Sequence, residues 1–187
     1  VPLNIFEPRY LDMINDSMRG NKIIGLIQPK NQSKDTPELY SVGCAAKITS
    51  YNELEDGRYL IALNGISRFK ILKEVVNNKT YRECEVSFEE YNFDQKQNTS
   101  KFTKTDLEPI FENLKSLLKK RNYIINIDSL KKESIEQIIN TLAMASPFSL
   151  EEKQALLETQ NIFERKLELE QILNTYIVDN FNNTTLQ

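Results

Sequence analysis

Two spacings of apolar residues divide this chain. Up to Tyr91 they recur mainly every second residue; beyond Lys104 they recur every third or fourth. Val1 to Phe6 reads as extended, and Glu7-Pro8 opens a helix, because proline fits the first helical turn. Leu11, Ile14 and Met18 give that helix one apolar stripe, and Gly20 marks its stop. Ile23 to Ile27 is a short run of the buried-strand type, followed by a polar loop from Pro29 to Glu38. Tyr40, Val42, Cys44, Ala46 and Ile48 then alternate with small or polar residues, which puts one apolar face on a sheet. Asp56-Gly57 predicts a hairpin, and Asn64-Gly65 predicts a second one, between the strands Tyr59–Leu63 and Ser67–Val76. Phe69 and Ile71 share a face of the latter. Asn77-Asn78 reads as a turn. Cys84, Val86 and Phe88 alternate with Glu83, Glu85, Ser87 and Glu89, so the last strand is expected to be wet on one side. Short turns between successive strands predict a mostly antiparallel sheet curled into a small barrel.

Residues 92–104 are polar and without period, as a linker would be. Thr105-Asp106-Leu107-Glu108 fits a capping box, with Leu107, Ile110, Phe111, Leu114, Leu117 and Leu118 as the apolar face behind it. Ser134 to Gln137 repeats that cap ahead of Ile135, Ile138, Ile139 and Leu142, and Pro147 ends the helix. Ser149 to Glu152 caps a third. A long final helix carries Phe163, Leu167, Leu169, Ile172, Leu173, Tyr176 and Ile177, with a frayed tail from Asn182. The expected division is a β-rich part over 1–91, a linker over 92–104 and a helical part over 105–187. The fold class is α+β.

Composition narrows the function. The chain of 187 residues is 40% hydrophobic and 27% charged, which suits a packed core. Its net charge of −3 and pI near 5.3 argue against broad nucleic-acid binding, which needs dense Lys and Arg. Histidine is absent, which removes Ser-His and Cys-His nucleophile pairs and most zinc hydrolase designs. Cys44 and Cys84 read as small buried thiols, too few for a disulfide framework or a zinc site. No apolar run is long enough for a membrane span and no leader pattern is present, so the expected setting is the reducing cytoplasm. The five glycines include none followed by Lys-Ser or Lys-Thr, so no phosphate loop is expected. The expectation is a non-enzyme without metal or cofactor.

Leu3-Asn4-Ile5-Phe6-Glu7-Pro8-Arg9-Tyr10 resembles the opening motif of the Lon protease N-terminal substrate-binding domain family. The likeness continues through Tyr40-Ser41-Val42-Gly43-Cys44-Ala45-Ala46-Lys47-Ile48, Asp56-Gly57-Arg58-Tyr59 and Leu63-Asn64-Gly65-Ile66-Ser67-Arg68-Phe69-Lys70-Ile71. It is looser at Glu152 to Glu158 and at Glu164-Arg165. The resemblance implies a PUA-like antiparallel β pseudo-barrel followed by a helical bundle with a long C-terminal helix. It also implies recruitment of unfolded or tagged polypeptides, for a protease where one is present. It points to a standalone Lon-domain protein, or to the recognition part of a full-length ATP-dependent protease. Members of that family carry one more apolar strand ahead of the position of Pro2. The resemblance therefore implies a barrel short of one strand, or a sequence that starts part-way.

Phe6, Tyr10 and Met13 lie off or beside the Leu11/Ile14 stripe and are candidates for an apolar surface that accepts exposed hydrophobic chain; core packing is the competing reading. Glu7 and Arg9 could edge that surface or simply pair at the helix start. Pro8, Gly43, Asp56, Gly57, Arg58, Gly65, Arg68 and Phe69 are read as structural members of the motifs. Glu83, Glu85, Glu89 and Glu90 could hold a cation, or form a wet strand face. Lys119-Lys120-Arg121 with Lys131-Lys132 could attract an acidic partner, or mark a solvated helix end. An RNA-binding PUA-like module is the alternative to polypeptide binding, and the acidic balance counts against it.

Overall fold

The computed structural model describes residues 1–31, 36–95, 102–120 and 127–184. The chain divides into two compact units, Val1–Gln97 and Asn98–Gln187.

The first unit is built on one long strand. In chain order it comprises β1 (Pro2–Ile5), α1 (Pro8–Arg19), β2 (Ile23–Leu26), β3 (Val42–Glu53), β4 (Tyr59–Val75) and β5 (Glu83–Ser87). All pairings are antiparallel, in the order β1-β4-β3-β2, with β5 also on β4. Lys70 pairs with Val42 of β3 and with Ser87 of β5, so these strands flank β4 on opposite edges. Alternation along β4 turns Tyr59, Ile61 and Leu63 inward to meet Ile24, Ala46, Ile48 and Ile14. Ile14 is fully buried and anchors α1, with Leu11 and Met18 packed at the margin, as the stripe predicts.

Several local readings change. Asn64-Gly65 is no hairpin: β4 runs through it, and Ile66 is the extra residue of a bulge between the pairs Ala46↔Gly65 and Ala45↔Ser67. Gly65 lacks the positive φ a tight turn needs, whereas Gly57 has φ +80° at the true turn. Gly20 ends α1 at φ −110°, and the left-handed residue is Lys22 at φ +58°, whose N–H bonds the Ser17 carbonyl. Only Ile24 is buried in β2, because that strand forms the end of the sheet. Phe88 is 44% exposed, so the alternation of β5 yields a shallow apolar face. A 3-10 turn over Glu89–Gln95 folds back, with Tyr91 buried, into the stretch expected to be linker. The rest of that stretch up to residue 101 lies outside the described residues.

The helical unit comprises a 3-10 turn (Lys104–Leu107), then α2 (Glu108–Lys120), α3 (Ile127–Leu130), α4 (Ile135–Ala145), α5 (Leu150–Glu158) and α6 (Ile162–Thr184). Its cap sits two residues earlier than expected. The Asp106 carboxylate accepts from the Thr103 backbone N–H at 2.7 Å, while Glu108 instead pairs with Lys131 at 2.9 Å. The caps of α4 and α5 match expectation: Gln137 N–H donates to the Ser134 hydroxyl and Glu152 N–H to the Ser149 hydroxyl. Leu107, Ile110, Phe111, Leu114, Ile138, Ile139, Leu142, Leu156, Leu169 and Leu173 close the core. In α6 the buried positions are Ile162, Lys166, Leu169, Ile172 and Leu173, so Phe163 and Leu167, expected on the inner stripe, face outward at 50% and 40% exposure. The helix continues through Asn182 to Thr184.

Glycine substitutions separate bulge from turn. A Cβ on Gly43 would lie 2.5 Å from the Leu26 carbonyl oxygen and 2.7 Å from the Phe69 ring, so Gly43→Ala is expected to cost about 1–3 kcal/mol in urea unfolding. On Gly65 the nearest atom is Cys44 Sγ at 3.6 Å, so Gly65→Ala is expected to stay within about 1 kcal/mol of the parent. A large loss at Gly65 would restore the hairpin reading.

Candidate functional site

The start of α1 is built by a proline. Glu7 precedes Pro8 and is therefore held extended, at φ −73° and ψ 132°, and the helix begins at once behind it. β1 ends at Ile5, so Phe6 and Glu7 form the whole connection between strand and helix. Phe6 is 64% exposed and Tyr10 36%. Arg9 lies between two neighbours. Its Nε donates to Glu7 Oε2 at 3.0 Å, and its guanidinium carbon sits 4.7 Å from the centre of the Tyr10 ring. A cation in this position is attracted to the ring face, which leaves the other face of the ring for a partner. Four of the five candidate residues thus gather at one exposed place. Met13 does not join them in the open: it is half-buried against the core of the β unit.

The motif residues Asp56, Gly57, Arg58, Arg68 and Phe69 lie in a turn and in packed positions of the sheet. Asp56 and Arg58 pair at 2.7 Å across the turn that holds Gly57. The Arg58 guanidinium holds the Asp56 carboxyl below its ordinary value. Phe69 is buried over Gly43 and meets Phe88 edge-on at 6.3 Å. The Arg68 side chain is only 6% exposed. Its Nη2 and Nε donate to Asp94 at 2.8 and 2.9 Å, and its plane stacks on Tyr91 at 4.2 Å. It fastens the 3-10 turn to the sheet, and a partner 26 residues away gives no sequence signal. The glutamates of β5 and the following turn carry cations of the protein itself: Glu83 pairs with Lys79, Glu85 with Lys73 and Glu90 with Lys70. Lys131, of the basic cluster, pairs with Glu108; Arg121 lies outside the described residues. Burial pushes the Cys84 thiol up, away from the thiolate form a nucleophile needs. Among the described residues no helix is long and apolar enough to cross a membrane.

A second feature escaped sequence reasoning. The loop between β4 and β5 closes on α1 over a recess of about 320 Å³, lined by Asp12, Asn15, Asp16, Arg19 and residues 78–81. Thr80 Oγ1 donates to Asp12 Oδ2 and Tyr81 Oη to Asp16 Oδ2, each at 2.7 Å, while Lys79 Nζ lies 3.3 Å from Asp16. The clasp fixes the direction of the helix that carries Tyr10. The Tyr81 hydroxyl, then Lys79, holds the Asp16 carboxyl below its ordinary 3.8.

The family of the ATP-dependent protease La (LON) substrate-binding domain matches residues 1–175. This chain belongs to that family. The Lon protease of Flavobacterium johnsoniae is 28% identical over 183 residues, covering 93% of this chain and 22% of the relative. That of Buchnera aphidicola subsp. Acyrthosiphon pisum is 29% identical over 168 residues, covering 88% and 21%. The chain therefore spans about a fifth of the length of the curated relatives it matches. Among solved structures, a Lon N-terminal domain protein from Xanthomonas campestris superposes with a TM-score of 0.63 at 21% identity, covering 93% of this chain and 88% of the other. The N-terminal domain of Mycobacterium avium complex Lon protease gives 0.59 at 18%, covering 93% and 90%. The α+β fold, an antiparallel sheet unit followed by a helical unit, is thus that of LON N-terminal domains.

In this LON domain, Arg68→Ala strands a partly buried carboxylate and is expected to cost about 3 kcal/mol or more, read by chemical denaturation; Arg68→Lys loses the bidentate geometry and recovers only part. Parent-like stability of Arg68→Ala would refute the pin. The clasp has a pH signature. Because the folded Asp16 pKa is depressed, its contribution is present above 3.8 and is lost as pH falls through the lower folded value. Carboxyl NMR titration of Tyr81→Phe should show the Asp16 pKa rising toward 3.8, and an unmoved value would contradict the assignment.

Proposed function

We propose that this chain holds unfolded or tagged polypeptide segments without performing chemistry on them, at the exposed start of α1. The observation that carries the reading is the exposure of Phe6: among the described residues no aromatic side chain is more open to solvent. Exposed Tyr10, with Arg9 stacked on it, follows within four residues. Rigid aromatics bury large area at small entropic cost, which suits a surface that must accept many sequences. The Glu7–Arg9 pair spends its charges internally, so the surface presents rings rather than a net field.

The membership in a substrate-binding family supports the reading, and so does the similarity to Lon proteases. Segments held here are passed to proteolytic machinery, attached to or separate from this domain, in the cytoplasm. Met13 contributes by supporting α1 from below rather than by touching the client.

Fluorescence anisotropy with a labelled, reduced and carboxymethylated protein tests this. The parent is expected to bind saturably with little salt dependence. Phe6→Ser and Tyr10→Ser are each expected to weaken binding about tenfold, since each removes roughly one ring's worth of buried apolar area. Both residues are exposed, so the variants should keep the parent's circular dichroism. Undiminished binding by Phe6→Ser, or saturable RNA binding with a steep salt slope in place of client binding, would overturn the proposal.

A further inference from the structure

The helical unit carries a second surface with a different character. On the first turns of α6, Phe163 and Leu167 stand one helical turn apart and face outward. The Phe102 ring lies 6.3 Å from that of Phe163 and is itself packed against the core, so it props the outer ring. Glu164 and Glu168 adjoin this pair in sequence, and the cations of the same stretch are used inside. The Arg165 guanidinium donates to the Leu156 carbonyl at 2.9 Å and to Asn140 Oδ1 at 2.7 Å. Lys166 is 9% exposed and bonds Glu170 at 2.6 Å. Glu164 accepts from the Gln160 N–H and from Asn161 Nδ2, both neutral, so those bonds leave its charge uncompensated. The outer face is therefore apolar and anionic at once.

We infer that this face of α6 docks cationic apolar polypeptide segments, in which Lys or Arg flank aromatic or aliphatic residues. Apolar contact fills the space over Phe163 and Leu167, and the flanking cations meet Glu164 and Glu168. Carboxylates at this position repel nucleic-acid phosphate and anionic lipid, which leaves a basic polypeptide as the matching chemistry. The surface belongs to the helical unit alone and extends the polypeptide-binding reading from a neutral surface to one that selects by charge.

The test uses the full chain and three short fluorescein-labelled peptides with the same Phe and Leu positions, spaced by Lys, by Gln or by Glu. The Lys peptide is expected to bind best and to weaken with salt. Leu167→Gln should weaken it about tenfold, and Glu168→Lys about threefold while improving the Glu peptide. Circular dichroism shows that each variant is folded, and two chemically different substitutions keep the test decisive if one is not. Equal affinity for the three peptides, or parent-like binding by both variants, overturns the inference. So does self-association of the parent that Leu167→Gln abolishes, because a second copy would then cover the face. Phe6→Ser is scored on the unfolded client and Leu167→Gln on the Lys peptide, so the two readings fail separately.

Discussion

Seventeen residues of β4 hold the β unit together. The strand takes β3 along one edge and β1, then β5, along the other, and among the described residues no other strand pairs with more than two. A strand this long cannot stay flat, because every pairing adds right-handed twist. Bulges at Ile66 and Leu72 insert one unpaired residue each, which bends the strand and adds to its local twist. Past the first bulge Ser67, Arg68 and Phe69 alternate regularly and all three are buried, so the strand is covered on both faces here. Arg68 then reaches Asp94 and draws in Tyr91, and Phe69 closes over Gly43.

The apolar surface that remains outside follows from this arrangement. β1 pairs with Tyr59–Ala62 and delivers the chain to Pro8, where the helix must start. Ile14 fixes the rotation of α1, and the clasp from Asp12 and Asp16 to the β4–β5 loop fixes its direction. With both set, Phe6 and Tyr10 have no core to enter. In the helical unit the same logic holds for α6. Arg165 ties α5 to α4 through Leu156 and Asn140, and Lys166 occupies an inner position, so Phe163 and Leu167 are rotated out.

Local signals in the sequence were legible where the physics is local. Pro8 at the helix start, Gly57 at the turn, and the Ser134/Gln137 and Ser149/Glu152 caps each depend on residues within four positions. The four ordered motifs carried the family. Asn64-Gly65 misled because a glycine beside asparagine suits a bulge as well as a hairpin, and only strand pairing distinguishes them. The cap at Thr103/Asp106 was displaced because Thr105/Glu108 has the same spacing and chemistry. Arg68–Asp94 and the clasp join residues 26 to 68 positions apart, which no local pattern reveals. Among the five candidate binding residues, the helical stripe could not tell the half-buried Met13 from the exposed Tyr10, since both border it.

The central claim is that exposed rings at the start of α1 hold unfolded chain. Hydrogen–deuterium exchange of the intact protein, with and without a saturating unfolded client, tests it at the place named. The account predicts slowed exchange at the amides of Phe6, Glu7, Arg9 and Tyr10, against an unchanged pattern in β3 and in the centre of β4. Client binding that leaves Phe6 to Tyr10 exchanging as in the free protein would contradict it.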